Sequence, residues 1–160
     1  MEIYLLRSSI ADVNASDGML PEAHRYLSAE GRQIVRQIGS KIRLTEEPSF
    51  DAVLTSPLAT AVQTAELFAD RTDYVGVVEA LPLLAAAETP PSVIAPILLT
   101  RGRTILVVAD EPVLASLGAF LVGRPTFPPS KPAQVSVIQD RQPAWCLRPG
   151  ELARQLLLVA

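Results

Sequence analysis

The sequence predicts an α/β fold, three layers deep (α/β/α), around a mostly parallel central sheet with an antiparallel edge. Three observations lead there. Short β-branched or apolar runs alternate along the chain with longer segments whose apolar residues recur at helical spacing. The last two such runs lie too close together for a crossover helix and therefore pair as a hairpin at a sheet edge. Finally, 160 residues with 49% hydrophobic and 19% charged composition suit one globular domain over 1–160, large enough to need no metal or disulfide staple.

The elements follow in order. Ile3-Tyr4-Leu5-Leu6 is a compact apolar run of the kind a strand buried on both faces shows, and Arg7-Ser8-Ser9 ends it. Residues 8–27, with Asp12, Asn14, Asp17, Gly18 and Pro21, read as a long loop, a feature usually kept for function. Ser28 is placed to cap a helix in which Ile34, Val35, Ile38 and Ile42 share a face, with Lys41 and Arg43 at the negative end of its dipole. Ala52-Val53-Leu54 is the second strand. Thr55-Ser56-Pro57 closes it and opens a helix, with Pro57 in the first turn and Leu58, Ala61, Val62, Ala65 and Phe68 along one side. Val75, Val77 and Val78 predict a third strand. Thr89-Pro90-Pro91 starts another helix, which Pro96 should kink or shorten. Thr104 to Val108 is a strand ended by Ala109-Asp110-Glu111-Pro112, and the helix after it carries Val113, Leu114, Leu117, Phe120 and Leu121. Four prolines stiffen 124–132. Val135–Ile138 and Ala144–Leu147 form the hairpin about Asp140-Arg141-Gln142, and Glu151 to Val159 is a terminal helix or an apolar tail.

Charge and composition narrow the function. A net charge of -3 lacks the basic face needed to displace counterions from nucleic acid. No apolar run approaches the ~18 residues of a membrane span, and Glu2 stands where a signal peptide carries a cation. Cys146 is the single cysteine, expected as a small buried hydrophobe, and a disulfide framework is excluded. A soluble, cytoplasmic protein is expected, binding neither nucleic acid nor membrane. Because ligands of open α/β sheets bind beyond the carboxyl ends of parallel strands, the candidate rim is Arg7-Ser8-Ser9, Ser56 to Thr60, and Ala109-Asp110-Glu111.

These same segments carry a family resemblance. Ile3-Tyr4-Leu5-Leu6-Arg7 is similar to the opening strand of the histidine phosphatase (phosphoglycerate-mutase-like) superfamily. Leu27-Ser28-Ala29-Glu30-Gly31-Arg32 resembles its L-T-E-x-G-R helix start. Leu54-Thr55-Ser56-Pro57-Leu58-Ala59, with Ala61, Gln63, Thr64 and Ala65, resembles its T-S-P-x-x-R-A-x-Q-T-A segment. Ile105 to Pro112 lies where the family has a strand followed by G-H-E-P. The short chain, proline loop and Trp145-to-Pro149 ending resemble the small phosphohistidine phosphatase branch, the SixA type.

The resemblance implies the phosphoglycerate-mutase-like fold and a phosphoryl-transfer site whose key groups have changed. Where the family has its nucleophilic histidine, this chain has Ser8. The slot of a second phosphate-binding arginine holds Thr60, and the position of a second histidine holds Asp110. Arg7, the phosphate-binding arginine after the first strand, is kept. A serine hydroxyl needs a neighbouring base, and none lies near it in sequence. Thr60 offers one neutral donor in place of a bidentate guanidinium. A carboxylate ~4 Å from a phosphate repels it by about 4 kcal/mol per unit charge at an effective dielectric of about 20. Arg7 and Asp110 are expected to pair across the altered pocket, and the family's catalytic route is expected to be lost.

The remaining candidates have a plain structural alternative. Ser8 as a replacement nucleophile lacks a base, and Asp110 as a phosphoryl acceptor would need Mg²⁺ and an Asp-x-Asp spacing that is absent. His24, the single histidine, reaches the rim or is a solvated loop side chain. Ser9, Ser56 and Glu88 are rim candidates, Glu88 alternatively serving as a charge near a helix start. Leu156 to Val159 is core or a dimer contact, and the oligomeric state is left open. No metal or cofactor is implied. The expected function is a phosphohistidine-phosphatase-like binding or regulatory module without catalysis, its partner a histidine-containing phosphotransfer protein or a phosphorylated small molecule. The alternative is an active phosphatase on a phosphohistidine protein or small phosphomonoester, with a rearranged site.

Overall fold

The structure, a computed structural model, describes residues 1–12 and 25–160. Strand β1 (Glu2–Arg7) leads into helix α1 (Ala29–Glu46), then β2 (Ala52–Thr55), α2 (Ala59–Arg71) and β3 (Val78–Ala80). A 3₁₀ turn (Pro82–Ala85) precedes α3 (Pro91–Leu99), β4 (Thr104–Ala109) and α4 (Val113–Val122). The chain ends with β5 (Val135–Gln139), β6 (Gln142–Leu147) and β7 (Gln155–Leu156). Among the described residues these strands make one sheet in the order β3-β2-β4-β1-β5-β6-β7. Strands β3, β2, β4 and β1 run parallel, and β5, β6 and β7 add antiparallel.

Side-chain alternation along the strands builds two cores. Tyr4, Leu6, Val53, Leu106 and Val108 face α1 and α2, where they meet Val35, Ile38, Ile42, Ala65 and Phe68. Ile3, Leu5, Leu54, Ile105 and Val107 face α3 and α4, packing on Ile94, Leu98, Leu114 and Leu117. A strand covered on both faces has no solvent side, which is why β1 and β4 read as unbroken apolar runs. Tyr4 sits at the centre of the first core, edge-on to Phe50 (ring centroids 5.0 Å apart) and Trp145 (5.8 Å), a favourable geometry for ring quadrupoles.

Local signals placed several boundaries. Ser28 caps α1, its Oγ accepting from the Gly31 N–H at 2.9 Å. Arg43 lies in the last turn and pairs with Asp73 at 2.8 Å. Helix α3 starts at Pro91 and is only nine residues long with Pro96 inside it. Cys146 is buried on β6, where burial pushes its thiol pKa up.

Five expectations need correction. Val75 and Val77 are 98% and 78% exposed and precede β3, so β-branched chemistry alone did not make them a strand; pairing to β2 begins at Val78. Pro57 lies outside α2, which begins at Ala59 after an extended Leu58 cap, because the Ser56 hydroxyl first takes the Leu58 N–H at 3.3 Å. The hairpin turn is only Asp140-Arg141, both left-handed (φ 47° and 66°), and Gln142 already pairs with Gln139. The chain end forms no helix: its short strand β7 pairs with β6, leaving Leu156 and Leu158 exposed and Leu157 buried, an alternation that belongs to extended chain. Phe120 does not join the buried face of α4; it is 42% exposed. No helix among the described residues is long and apolar enough to cross a membrane.

Candidate functional site

Register brings the candidate rim together. Because β1, β4 and β2 are parallel neighbours, with Arg7 opposite Ala109 and Thr55 opposite Val108, their carboxyl ends open on one edge. The Ser8 N–H reaches the Ala109 carbonyl (3.1 Å) and the Ser56 N–H the Val108 carbonyl (2.8 Å), so pairing continues one residue beyond each strand. Ser8, Ser56 and Asp110 are thereby juxtaposed, and Thr60 enters from the first turn of α2. Glu88 is exposed in the turn between the 3₁₀ segment and α3. His24 lies outside the described residues.

The ground beneath the rim is fully engaged. Ser9 donates its Oγ to the Gly31 carbonyl (2.9 Å) and its N–H to the Thr64 hydroxyl (3.1 Å). Thr64 in turn donates to the Thr60 carbonyl (2.7 Å), and Gln63 accepts the Leu27 N–H (2.7 Å). A Cβ on Gly31 would stand 2.2 Å from the Ile10 carbonyl oxygen, so only glycine lets α1 start this close to the chain leaving β1. Ser9 and Ser56 are therefore committed to backbone partners.

Arg7 does not form the expected ion pair with Asp110: none of the ion pairs among the described residues joins them. Its Nη1 donates instead to the Ser130 carbonyl at 2.7 Å. The Ser130 N–H is held by Glu111, whose other carboxylate oxygen accepts the Ala115 N–H at 2.8 Å. The proline loop is thus clipped to the rim from both sides of one residue. A carbonyl is a neutral partner, so the guanidinium charge persists. Sequence reading missed Ser130 and Glu111 in this role; the signal for Glu111 was an acid two residues past the end of the strand and directly before a proline.

Two donors at the end of β1 are buried without a hydrogen-bond partner: the Arg7 Nε and the Ser8 Oγ. Ser8 itself is only 3% exposed. Among the described residues its hydroxyl has no base within hydrogen-bond reach, which is the first requirement for activating a serine. Among the described residues no group of three or more His, Cys, Asp or Glu side chains is placed to hold a metal ion.

The architecture decides the comparison with solved proteins. The structure of the protein histidine phosphatase SixA complexed with tungstate superposes with a TM-score of 0.80 at 20% identity, covering 93% of this chain and 97% of that one. The fold is that of the SixA-type histidine phosphatases. A candidate SixA from Agrobacterium tumefaciens follows at TM-score 0.71 and 19% identity, over 92% and 98% of the two chains. A candidate alpha-ribazole-5'-P phosphatase from Escherichia coli reaches 0.68 and 19%, over 90% and 94%. The SixA-type sheet thus extends over nearly the whole chain at low identity. No family model matches the sequence. No curated protein matches it either.

Proposed function

We propose that this chain is a phosphohistidine-phosphatase-like protein that has lost phosphoryl transfer and acts as a binding or regulatory module. The observation that carries this is Ser8: at the position matched to the family's nucleophilic histidine stands a buried hydroxyl with no hydrogen-bond partner. Two further features support it. Thr60 is a neutral donor where the resemblance implies a cation, and the rim's Arg7 already directs one N–H to the Ser130 carbonyl, so a doubly charged phosphate meets fewer charged donors there. The partner proposed is a histidine-containing phosphotransfer protein or a phosphorylated small molecule.

The test is turnover. Purified protein should release no phosphate from p-nitrophenyl phosphate or a phosphohistidine peptide above the level of its Arg7→Ala variant. Turnover that vanishes in that variant would establish the competing active phosphatase. The triple variant Ser8→His, Thr60→Arg, Asp110→His should gain activity if the three positions are matched correctly; a folded but inert triple variant would mean that the matching is wrong or that further groups have been lost.

A further inference from the structure

The edge of the sheet opposite the rim carries an apolar groove. It lies between the carboxyl ends of α3 and α4 and the start of β1, with a volume of ≈ 400 Å³. Ile3, Ala95, Leu99, Phe120 and Ile138 line it. Leu99 and Phe120, which form its walls, are 47% and 42% exposed. A concave site of that size with a mainly apolar lining is the common form of a small-molecule pocket.

Its mouth is the β5–β6 turn, Asp140-Arg141, which also lines the groove. The Asp140 carboxylate is occupied, accepting from the Met1 amino group at 2.8 Å. The Arg141 side chain makes no hydrogen bond or ion pair among the described residues. Arg141 also sits at φ 66°, the second position of a two-residue hairpin turn that strongly favours glycine. A bulky cation is thus held at a left-handed position, where folding alone favours another residue, and it has no partner among the described residues.

We propose that this groove binds a singly charged amphiphile, a medium-chain carboxylate, with its apolar tail between α3 and α4 and its carboxylate on Arg141. Burial of the tail supplies the driving force, and the guanidinium selects a planar anionic head. The site is separate from the rim around Arg7, so it stands whether or not the rim binds phosphate.

Octanoate and 1-octanol are the probes, titrated into ¹⁵N-labelled protein and followed by NMR. Octanoate should give saturable shifts of the Leu99, Phe120 and Ile138 amides while Ser8 and Ser56 stay unmoved. Arg141→Gln should weaken octanoate about fivefold, as expected of one solvent-exposed charge contact, and leave octanol unchanged. Phe120→Asp, or Leu99→Asp should the first fail to fold, should abolish both. Unsaturable or scattered shifts, equal octanoate affinity in Arg141→Gln, or retained binding in the folded Asp variant would overturn the proposal. So would sedimentation showing a dimer that the Asp variant breaks, because the groove would then be a contact between copies.

Discussion

Two regions only a few residues apart behave in opposite ways. Below the rim, Gly31, Gln63 and Thr64 each have a mechanical task in holding the chain that leaves β1. On the rim, Ser8 leaves a hydroxyl without a partner among the described residues. The difference teaches that the framework holds its shape independently of the groups it presents at the rim. Residues that satisfy buried backbone groups hold the fold whether or not a ligand binds, so their presence needs no ligand to explain it. A use for the rim must therefore be argued from the rim.

That contrast can be broken by substitution. The largest effect is expected at Gly31→Val, where a Cβ 2.2 Å from the Ile10 carbonyl oxygen forces backbone apart; thermal unfolding should show a loss of about 3 kcal/mol, roughly 10 °C in Tm. An unchanged Tm would mean that the start of α1 is not pinned there. Gln63→Ala strands the Leu27 N–H, a buried residue's donor, and should cost about 2 kcal/mol in urea unfolding. Ser8→Ala is expected to move the other way, gaining about 1 kcal/mol because it removes an unpartnered buried hydroxyl. Destabilisation on that change would show that Ser8 has a partner, and the rim would have to be reconsidered as a working site.

The smallest effect sharpens the comparison at the far edge. The Asp51 carboxylate accepts the backbone N–H groups of Thr104 and Arg103 (3.0 and 2.8 Å), which hold its pKa below the usual carboxylate range. A carboxyl lowered in the folded state binds more protons when unfolded. Its stabilising contribution is therefore complete above the unfolded pKa of about 3.9 and lost as pH falls through the folded value. Asp51→Asn should flatten the decline of Tm between about pH 4 and pH 2 relative to the parent protein. An identical slope would place the acid sensitivity elsewhere.

The layered α/β class, the strands β1, β2 and β4, the Ser28 cap and the segments that form the rim were all legible in the sequence. They depend on local chemistry: apolar period, capping hydroxyls, and strand ends that a parallel sheet must gather on one side. The departures were non-local. Val75 and Val77 have strand chemistry but no neighbour to pair with, whereas the terminal segment that suggested a helix or an apolar tail pairs with β6 through Gln155 and Leu156. Arg7 could be placed on the rim from sequence, but its partner, Ser130, lies 123 positions away and reaches it only through the packing of the proline loop.

The amino-acid order by itself determined which side chains stand at the strand ends: one arginine, two serines and an acid. Tertiary structure alone decided what those side chains touch: which hydroxyl is tied to backbone, which is left buried without a partner, and that the guanidinium grips a carbonyl and not the neighbouring acid. The physical reason is that residue type and periodicity act within a turn or a strand, whereas hydrogen-bond satisfaction and charge pairing are settled between segments that only the completed sheet brings into contact.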